Sequence, residues 1–182
     1  MSTAIGSVEL NSIASGIVTG DQMLKAASVD LVMAQPTCPG KYVILVAGET
    51  ADVSTSVRAG IETGADKVVD SMILSNIDPQ VISAITRTTE IDQSEAVGII
   101  ETFSLCASIQ AADCAVKTAN VELIEVRLGR GLGGKSYVIL TGTVADVKSA
   151  CDAVTANFGR EGMLLNVEVV SSLHPDMFRA LL

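Results

Sequence analysis

The chain has 182 residues, enough for one or two domains, and a formal net charge of −9. This acidity, without any cluster of Lys and Arg, argues against a nucleic-acid-binding protein, because phosphates require concentrated positive charge. Hydrophobic residues make up 48%, yet no uncharged run exceeds eleven residues, so we expect neither a transmembrane helix nor a signal segment. Such an apolar chain favours a homo-oligomer that buries surface between its subunits.

The sequence is internally duplicated. The segment that begins at Ala4 recurs 92 residues later, and Gly40-Lys41 recurs 94 residues later. The second copy has therefore gained two residues between these points. This repetition predicts two domains, residues 1–92 and residues 93–182.

Each copy predicts the same order of elements, β-α-β-β-α-β, from alternating and helical spacings of apolar residues. In the first copy these are strand 4–10, helix 14–28, strands 29–34 and 42–47, helix 50–63 and strand 67–74. In the second they are strand 96–102, helix 106–120, strands 121–128 and 136–141, helix 144–158 and strand 164–170. Pro79 and Pro175 each begin a short helix, and residues 87–93 form a linker. This order predicts two α/β sandwich domains with mostly antiparallel sheets.

The two copies diverge in the loop between their second and third strands. The first copy reads Gln-Pro-Thr-Cys-Pro-Gly up to Gly40, whereas the second has four glycines between Arg127 and Lys135. The glycine-rich loop superficially resembles a phosphate-binding loop. A strand follows it rather than a helix, however, which is the wrong context for a nucleotide site. One shared scaffold with one altered loop indicates two half-units with different roles.

The four cysteines show no disulfide framework, because their spacing is irregular and none has a counterpart in the other copy. This favours a reducing compartment. Cys106, Cys114 and Cys151 fall within predicted helices, where we expect them to be packing residues. Cys38 lies in the divergent loop between two prolines, and is the candidate for chemistry.

The sequence predicts that the protein is not an enzyme and has no catalytic residues. Glu9 and Glu101 end matching strands, but we favour a structural role for them, because no nucleophile, base and orienting group occur together. Lys25 and Lys117 occupy matching helical positions. A single lysine there would be interpreted as solvated, but its recurrence favours a contact at the edge of an assembly.

Three patterns occur in both copies: A-x-G-x-x-E, then D-x-x-x-K-x-A-x-V, then, after a glycine-containing loop, G-x-x-A-D-V. They resemble the bacterial microcompartment shell domain, and the tandem arrangement resembles shell proteins that form pseudo-hexameric homotrimers. The resemblance implies a cytoplasmic microcompartment location, other shell proteins and an enclosed redox enzyme as partners, and neither nucleic acid nor membrane. The edge lysine of the family matches Lys25 and Lys117. An arginine that many members carry near the last proline is absent before Pro79 and Pro175.

The segment from Cys38 to Lys41 resembles a narrower group, the PduT-like iron–sulfur shell proteins, in which three loop cysteines hold a [4Fe–4S] cluster on the trimer axis. This resemblance implies that Cys38 is a metal ligand. Threefold symmetry would bring three Cys38 thiolates together and leave the fourth ligand unknown. The residues expected around the pore or the cluster are Thr37, Pro39, Gly40, Gly129, Arg130, Gly131 and Leu132.

Three functions follow from these observations. The first is a shell protein whose cluster transfers electrons, or is itself transferred, across the shell. The second is a shell pore for small metabolites without a cluster, and the third is a redox enzyme that uses Cys38 as a reactive thiol. Cys38 also fits an idle loop thiol, a mononuclear metal site or a redox sensor. Arg130 fits either a charge that faces an anion or a solvated side chain.

Overall fold

The computed structural model describes residues 3–91, 95–129 and 131–181. The chain forms two compact units, Met1–Ile77 and Asp78–Leu182. This division falls earlier than the boundary between the sequence copies, at residues 92 and 93. The difference arises because the short helix after Pro79 packs against the second sheet.

The first unit is a four-stranded antiparallel sheet with two helices. The sheet order is β2-β3-β1-β4, so that β2 and β4 are its edges. Its elements are β1 (Thr3–Leu10), α1 (Ile13–Ala26), β2 (Asp30–Thr37), β3 (Lys41–Glu49), α2 (Thr50–Gly64) and β4 (Val68–Leu74).

The helices of the first unit pack on one face of its sheet. Val8 and Leu10 of β1 are fully buried in a cluster with Met23 of α1 and Val53 of α2. The side chain of Ser12 accepts a hydrogen bond from the N–H of Ser15, which satisfies a free donor at the start of α1. Alternation along β1 and helical spacing along α1 and α2 therefore combine into one apolar layer.

The second unit repeats this arrangement, with the sheet order β6-β7-β5-β8 and antiparallel pairing throughout. A short helix stands at each end of its sequence. Its elements are α3 (Pro79–Thr86), β5 (Ala96–Thr102), α4 (Leu105–Thr118), β6 (Glu122–Leu128), β7 (Ser136–Gly142), α5 (Val144–Phe158), β8 (Leu164–Val170) and α6 (Pro175–Leu181).

The predicted fold class is confirmed, since each unit has the predicted strand and helix order and an antiparallel sheet. The main difference concerns β2, which continues to Thr37 where a loop was predicted after residue 34. Pro36 is tolerated within β2 because this strand lies at the edge of the sheet. Among the helices of the described residues, none has the length and hydrophobicity to cross a membrane.

Candidate functional site

The turn between β2 and β3 consists of residues 38–40 and carries Cys38. Thr37 pairs with Lys41 across the hairpin, so three residues form the connection. Gly40 has φ of 77°, the left-handed conformation that the last position of such a turn requires. The Cys38-Pro39 peptide bond is cis. The extension of β2 thus places Cys38 directly at the end of a strand rather than in a long loop.

The Cys38 thiol is partly accessible, and the residues beyond it are small or exposed. Cys38 is half-buried, whereas Pro39 and Gly40 are exposed. Apart from Gly40 and its two chain neighbours, no residue that the structure describes has an atom within 4 Å of the position that a Cβ would occupy at Gly40. Thr37 is buried, and its hydroxyl has no hydrogen-bond partner among the described residues. The turn therefore presents one thiol beside an unused hydroxyl and an open backbone.

One chain does not provide a complete metal site within the residues that the structure describes, because no three His, Cys, Asp or Glu side chains group together. Iron–sulfur clusters are usually held by four thiolates. Cys38 therefore fits as a single ligand in a shared site, and symmetry must provide the others.

Lys41, which follows the turn, forms an ion pair with Glu9. Its Nζ lies 3.0 Å from Oε1 of Glu9, a side chain that is only 6% exposed. A buried carboxylate requires such a partner, because an unpaired charge is strongly disfavoured away from water. This pairing assigns Glu9 a structural role. Its counterpart Glu101 is half-buried in the other unit.

The second-copy turn, between β6 and β7, is longer and rich in glycine. Gly129, Gly131 and Gly133 have φ values of 63°, 74° and 64°. Leu132 is half-buried and its carbonyl accepts a hydrogen bond from the N–H of Lys135 at 3.2 Å. Among the described residues, and leaving out each glycine and its chain neighbours, no atom lies within 4 Å of the Cβ positions at Gly131 and Gly133. Arg130, predicted to lie here, falls outside the described residues.

The second sheet also contains an ionic cluster that sequence reasoning did not predict. The carboxylate of Glu125, 6% exposed, lies 2.7 Å from Nη2 of Arg127 and 3.2 Å from Nε of Arg87. It also accepts a hydrogen bond from the Tyr137 hydroxyl at 2.8 Å. Burial of Tyr137 and its bond to Glu125 raise the pKa of this tyrosine.

The first copy replaces this cluster with less polar residues. Counted along the repeat, Met33, Gln35 and Val43 occupy the positions of Glu125, Arg127 and Tyr137. Alignment of the two copies at their offset reveals the difference, and is the signal that could have identified it. The two sheets therefore differ in charge at equivalent positions.

The remaining cysteines lie in helices, as predicted. Cys106 and Cys151 are buried, and burial together with the nearby charge of Asp152 raises the pKa of Cys151 to about 11. The half-buried Cys114 accepts a hydrogen bond from Nδ2 of Asn157 at 3.3 Å. Of the four cysteines, Cys38 alone lies in a turn.

The two candidate edge lysines are held in the same way. Nζ of Lys25 lies 2.6 Å from Oδ2 of Asp21, and Nζ of Lys117 lies 2.6 Å from Oδ2 of Asp113, one helical turn earlier in each case. Asp21 is exposed, whereas Asp113 is buried. The role of these lysines at an assembly edge stays a prediction.

The BMC domain model matches residues 4–77 and 96–173, once in each copy. The chain is 41% identical to bacterial microcompartment shell protein PduT of Citrobacter freundii, over 98% of this chain and 97% of that protein. The crystal structure of a microcompartment protein from Desulfitobacterium hafniense DCB is similar, with a TM-score of 0.95, 49% identity and coverage of 97% and 98%. A fused permuted hexameric shell protein from the RMM microcompartment shares the fold alone, with a TM-score of 0.62, 24% identity and coverage of 87% and 82%.

These likenesses confirm three predictions from the sequence: the tandem shell domains, the fold, and the location in a bacterial microcompartment. The relatives are shell proteins, which agrees with a structural role rather than an enzymatic one. The chain therefore belongs to the BMC-domain family of bacterial microcompartment shell proteins.

Proposed function

We propose that three copies of this shell protein assemble around a threefold axis and hold one [4Fe–4S] cluster there with their Cys38 thiolates. The role of the cluster would be the transfer of electrons, or of the cluster itself, across the shell. The observation that carries this proposal is the turn at residues 38–40, which presents a half-buried thiol at the end of an edge strand.

Symmetry is what makes a single cysteine sufficient. A cyclic trimer brings a residue near its axis into contact with two copies of itself, so that one thiol becomes three. Three thiolates can each bind one iron of the cluster, and the fourth iron takes a ligand that the sequence does not specify. When bound, the group supplies a one-electron redox couple.

The residues beside Cys38 suit such a shared site. Gly40 and Pro39 place no bulky side chain at the tip of the turn, which lets three turns approach each other. The buried hydroxyl of Thr37 offers a donor next in sequence to the thiol. Hydrogen bonds to cluster sulfurs and the exclusion of water tune the reduction potential of such sites.

The proposed trimer would also have contacts beyond its own subunits. We propose that the partners are other shell proteins and an enclosed redox enzyme, and that Lys25 and Lys117 lie at the edges of the tile. Their side chains are 66% and 40% exposed, so both lysines lie at the surface of their units.

The proposal is tested by purification without oxygen, followed by iron analysis and EPR of the reduced oligomer. We expect a brown wild-type protein with a cluster signal, and Cys38→Ser to lose the iron while the oligomer persists. Cys114→Ser is the matched control, because that thiol is also half-buried, and it should keep the iron. A wild-type protein without iron, or loss of iron from Cys114→Ser alone, would overturn the assignment.

A second candidate is a pore for small metabolites without a cluster. The open glycine turn of the second copy favours it, because the Cβ positions at Gly131 and Gly133 are unobstructed. Arg130 would then present a charge to anionic metabolites. A colourless oligomer without iron supports this function, whereas thiol-dependent turnover by a single chain would favour a redox enzyme.

A further inference from the structure

Three neighbouring positions between each sheet and its first long helix differ in chemistry between the two copies. In the first copy Leu10, the last residue of β1, lies opposite Tyr42 of β3. Both belong to the apolar cluster on the face that the helices cover. A Cβ on Gly16 of α1 would lie 2.5 Å from three carbon atoms of Tyr42, so the tyrosine side chain lies directly against the helix backbone. One aromatic side chain therefore fills the contact between strand and helix.

The second copy carries a hydroxyl at each of these three positions. At the offsets of the repeat, the counterparts of these residues are, in chain order, Thr102, Ser108 and Ser136. All three are completely buried. Two serine side chains take up less space than one tyrosine, and they are polar. The second copy has thus exchanged an apolar contact for a small polar one.

Contacts in the second copy bring the three hydroxyl-bearing residues together. Thr102 of β5 lies opposite Ser136 of β7, and opposite residues in an antiparallel pair have Cβ atoms about 5 Å apart on the same face. Helix α4 packs on both strands. The Thr102 hydroxyl donates to the carbonyl of Ser104 at 2.8 Å, and the N–H of Ser108 donates to the same carbonyl at 3.3 Å. This shared carbonyl places Thr102 beside the first turn of α4, next to Ser108.

Two of the three hydroxyls have no hydrogen-bond partner among the residues that the structure describes. Both Oγ of Ser108 and Oγ of Ser136 are inaccessible and unpaired. A buried hydroxyl in this state is disfavoured, because it has given up its hydrogen bonds to solvent and gained none in return. Thr102 has used its proton, but its oxygen can still accept. The group therefore has two protons to donate and three oxygens that can accept.

We propose that Ser108, Ser136 and Thr102 bind one ordered water molecule, which forms part of the core of the second unit. The water accepts from both serine hydroxyls and donates to the oxygen of Thr102. Buried waters typically make about three such bonds to groups that otherwise lack partners. Since Ser136 is the first residue of β7, the water joins β5, β7 and α4 directly below the glycine-rich turn.

The site is specific to the second copy, because Tyr42 fills the equivalent space in the first. It lies inside one unit of a single chain. The inference therefore goes beyond the proposed function and depends neither on a ring of three copies nor on the iron cluster.

The first copy contains a buried hydroxyl in contrasting surroundings. Thr19 of α1 is 1% exposed, and its hydroxyl is also unpaired among the described residues. The space beside it is apolar. A Cβ on Gly64 would lie 2.7 Å from Val68, 2.8 Å from Leu10 and 3.6 Å from the Thr19 hydroxyl. Because a bound water requires about two to four polar partners, Thr19 serves as the control that binds none.

A crystal structure of the wild-type protein at high resolution tests the site directly. We expect density for one water at about 2.8 Å from both serine hydroxyls. The double variant Ser108→Gly with Ser136→Tyr carries the pair found in the first copy and should exclude the water. Wild-type density without a peak at this place, or two serine hydroxyls bonded directly to each other, would overturn the inference.

Urea unfolding gives an independent result. Ser136→Ala removes one partner of the water and should lower the urea midpoint. Thr19→Val keeps a similar shape but removes an unpaired hydroxyl from apolar surroundings, so it should raise the midpoint. A midpoint that rises for Ser136→Ala would show that its hydroxyl has no partner and would reject the water. Equal falls for both variants would also count against it, because the two sites would then not differ.

Discussion

The two units share their strand order and a bulge at the same place in their edge strands, but they fill their interiors differently. In the first, Gly60 of α2 lies directly against Met23 of α1: a Cβ there would come within 2.7 Å of the methionine sulfur. In the second, Ala115 and Val154 hold the corresponding positions and both are fully buried. The larger side chain of the pair lies on the first helix of the first unit, α1, but on the second long helix of the second unit, α5. The scaffold therefore depends on the summed volume of a contact rather than on particular residues.

The largest expected effect on stability comes from changing the volume of this helix contact. Met23→Ala leaves a cavity in the first unit and should lower the free energy of unfolding by about 3 kcal/mol. Gly60→Val overpacks the same site and should cost about 2 kcal/mol. The double variant reproduces the pair found in the second copy, so its loss should be smaller than either single loss. Urea unfolding measures all three, and additive losses would show that the two residues do not share one space.

The next effect tests the ionic cluster. Glu125→Met removes the only acceptor that the described contacts give the Tyr137 hydroxyl, and leaves Arg127 without its partner. The expected loss is about 2 kcal/mol, less than for a fully buried pair because the Arg127 side chain is 33% exposed.

The matched control carries the residues of the first copy together: Glu125→Met, Arg127→Gln and Tyr137→Val. It should recover most of the lost stability, because the Tyr137 hydroxyl and the Arg127 charge are removed with their partner, and the remaining Arg87 side chain is 57% exposed to water. Thermal unfolding compares the variants. A triple variant less stable than Glu125→Met would mean that the sheet requires the charges themselves.

A smaller effect separates the conformation of the cysteine turn from its chemistry. Gly40→Ala should cost about 1 kcal/mol, because φ is 77° while the space around the Cβ position is open. Gly131→Ala is the control, with φ of 74° and equally open space. The two should cost similar amounts by urea unfolding, but only Gly40→Ala should alter the EPR signal of the iron-loaded protein. Equal EPR spectra would place the cluster away from this turn.

The smallest effect is a pH dependence. The pKa of Tyr137 is raised above its ordinary value of 10.0, so the folded state holds this proton more tightly than the unfolded chain. The resulting stability is fully present below that ordinary value and is lost as the pH rises through the raised pKa. Tyr137→Phe should therefore show a shallower fall in unfolding free energy as the pH rises above about 10.

The same pH window includes Cys151, whose pKa is raised to about 11. Its contribution is present in both proteins and cancels in the comparison of Tyr137→Phe with the wild type. If the unfolding free energies of Tyr137→Phe and the wild type fall equally with pH, as measured by urea unfolding, then the pKa of Tyr137 is the same in the folded and unfolded states.

Strand and helix order could be predicted from the sequence because alternation and helical spacing survive in both copies. Cys38 was recognisable because the divergent loop is local in sequence. The end of β2 at Thr37 was not predicted, since Pro36, which suggested a loop, is acceptable in a strand at the edge of a sheet. The Glu125 cluster was missed because it joins side chains from two strands and from Arg87, far apart in sequence. The docking of α3 on β6 depends likewise on packing that no local pattern records.

The most direct test of the shared cluster is native mass spectrometry of the oligomer, purified and measured without oxygen. We predict three chains that carry one adduct of four irons and four sulfides, and three bare chains for Cys38→Ser. Iron bound separately to each chain, or an adduct that survives Cys38→Ser, would contradict a site built from three thiols on one axis.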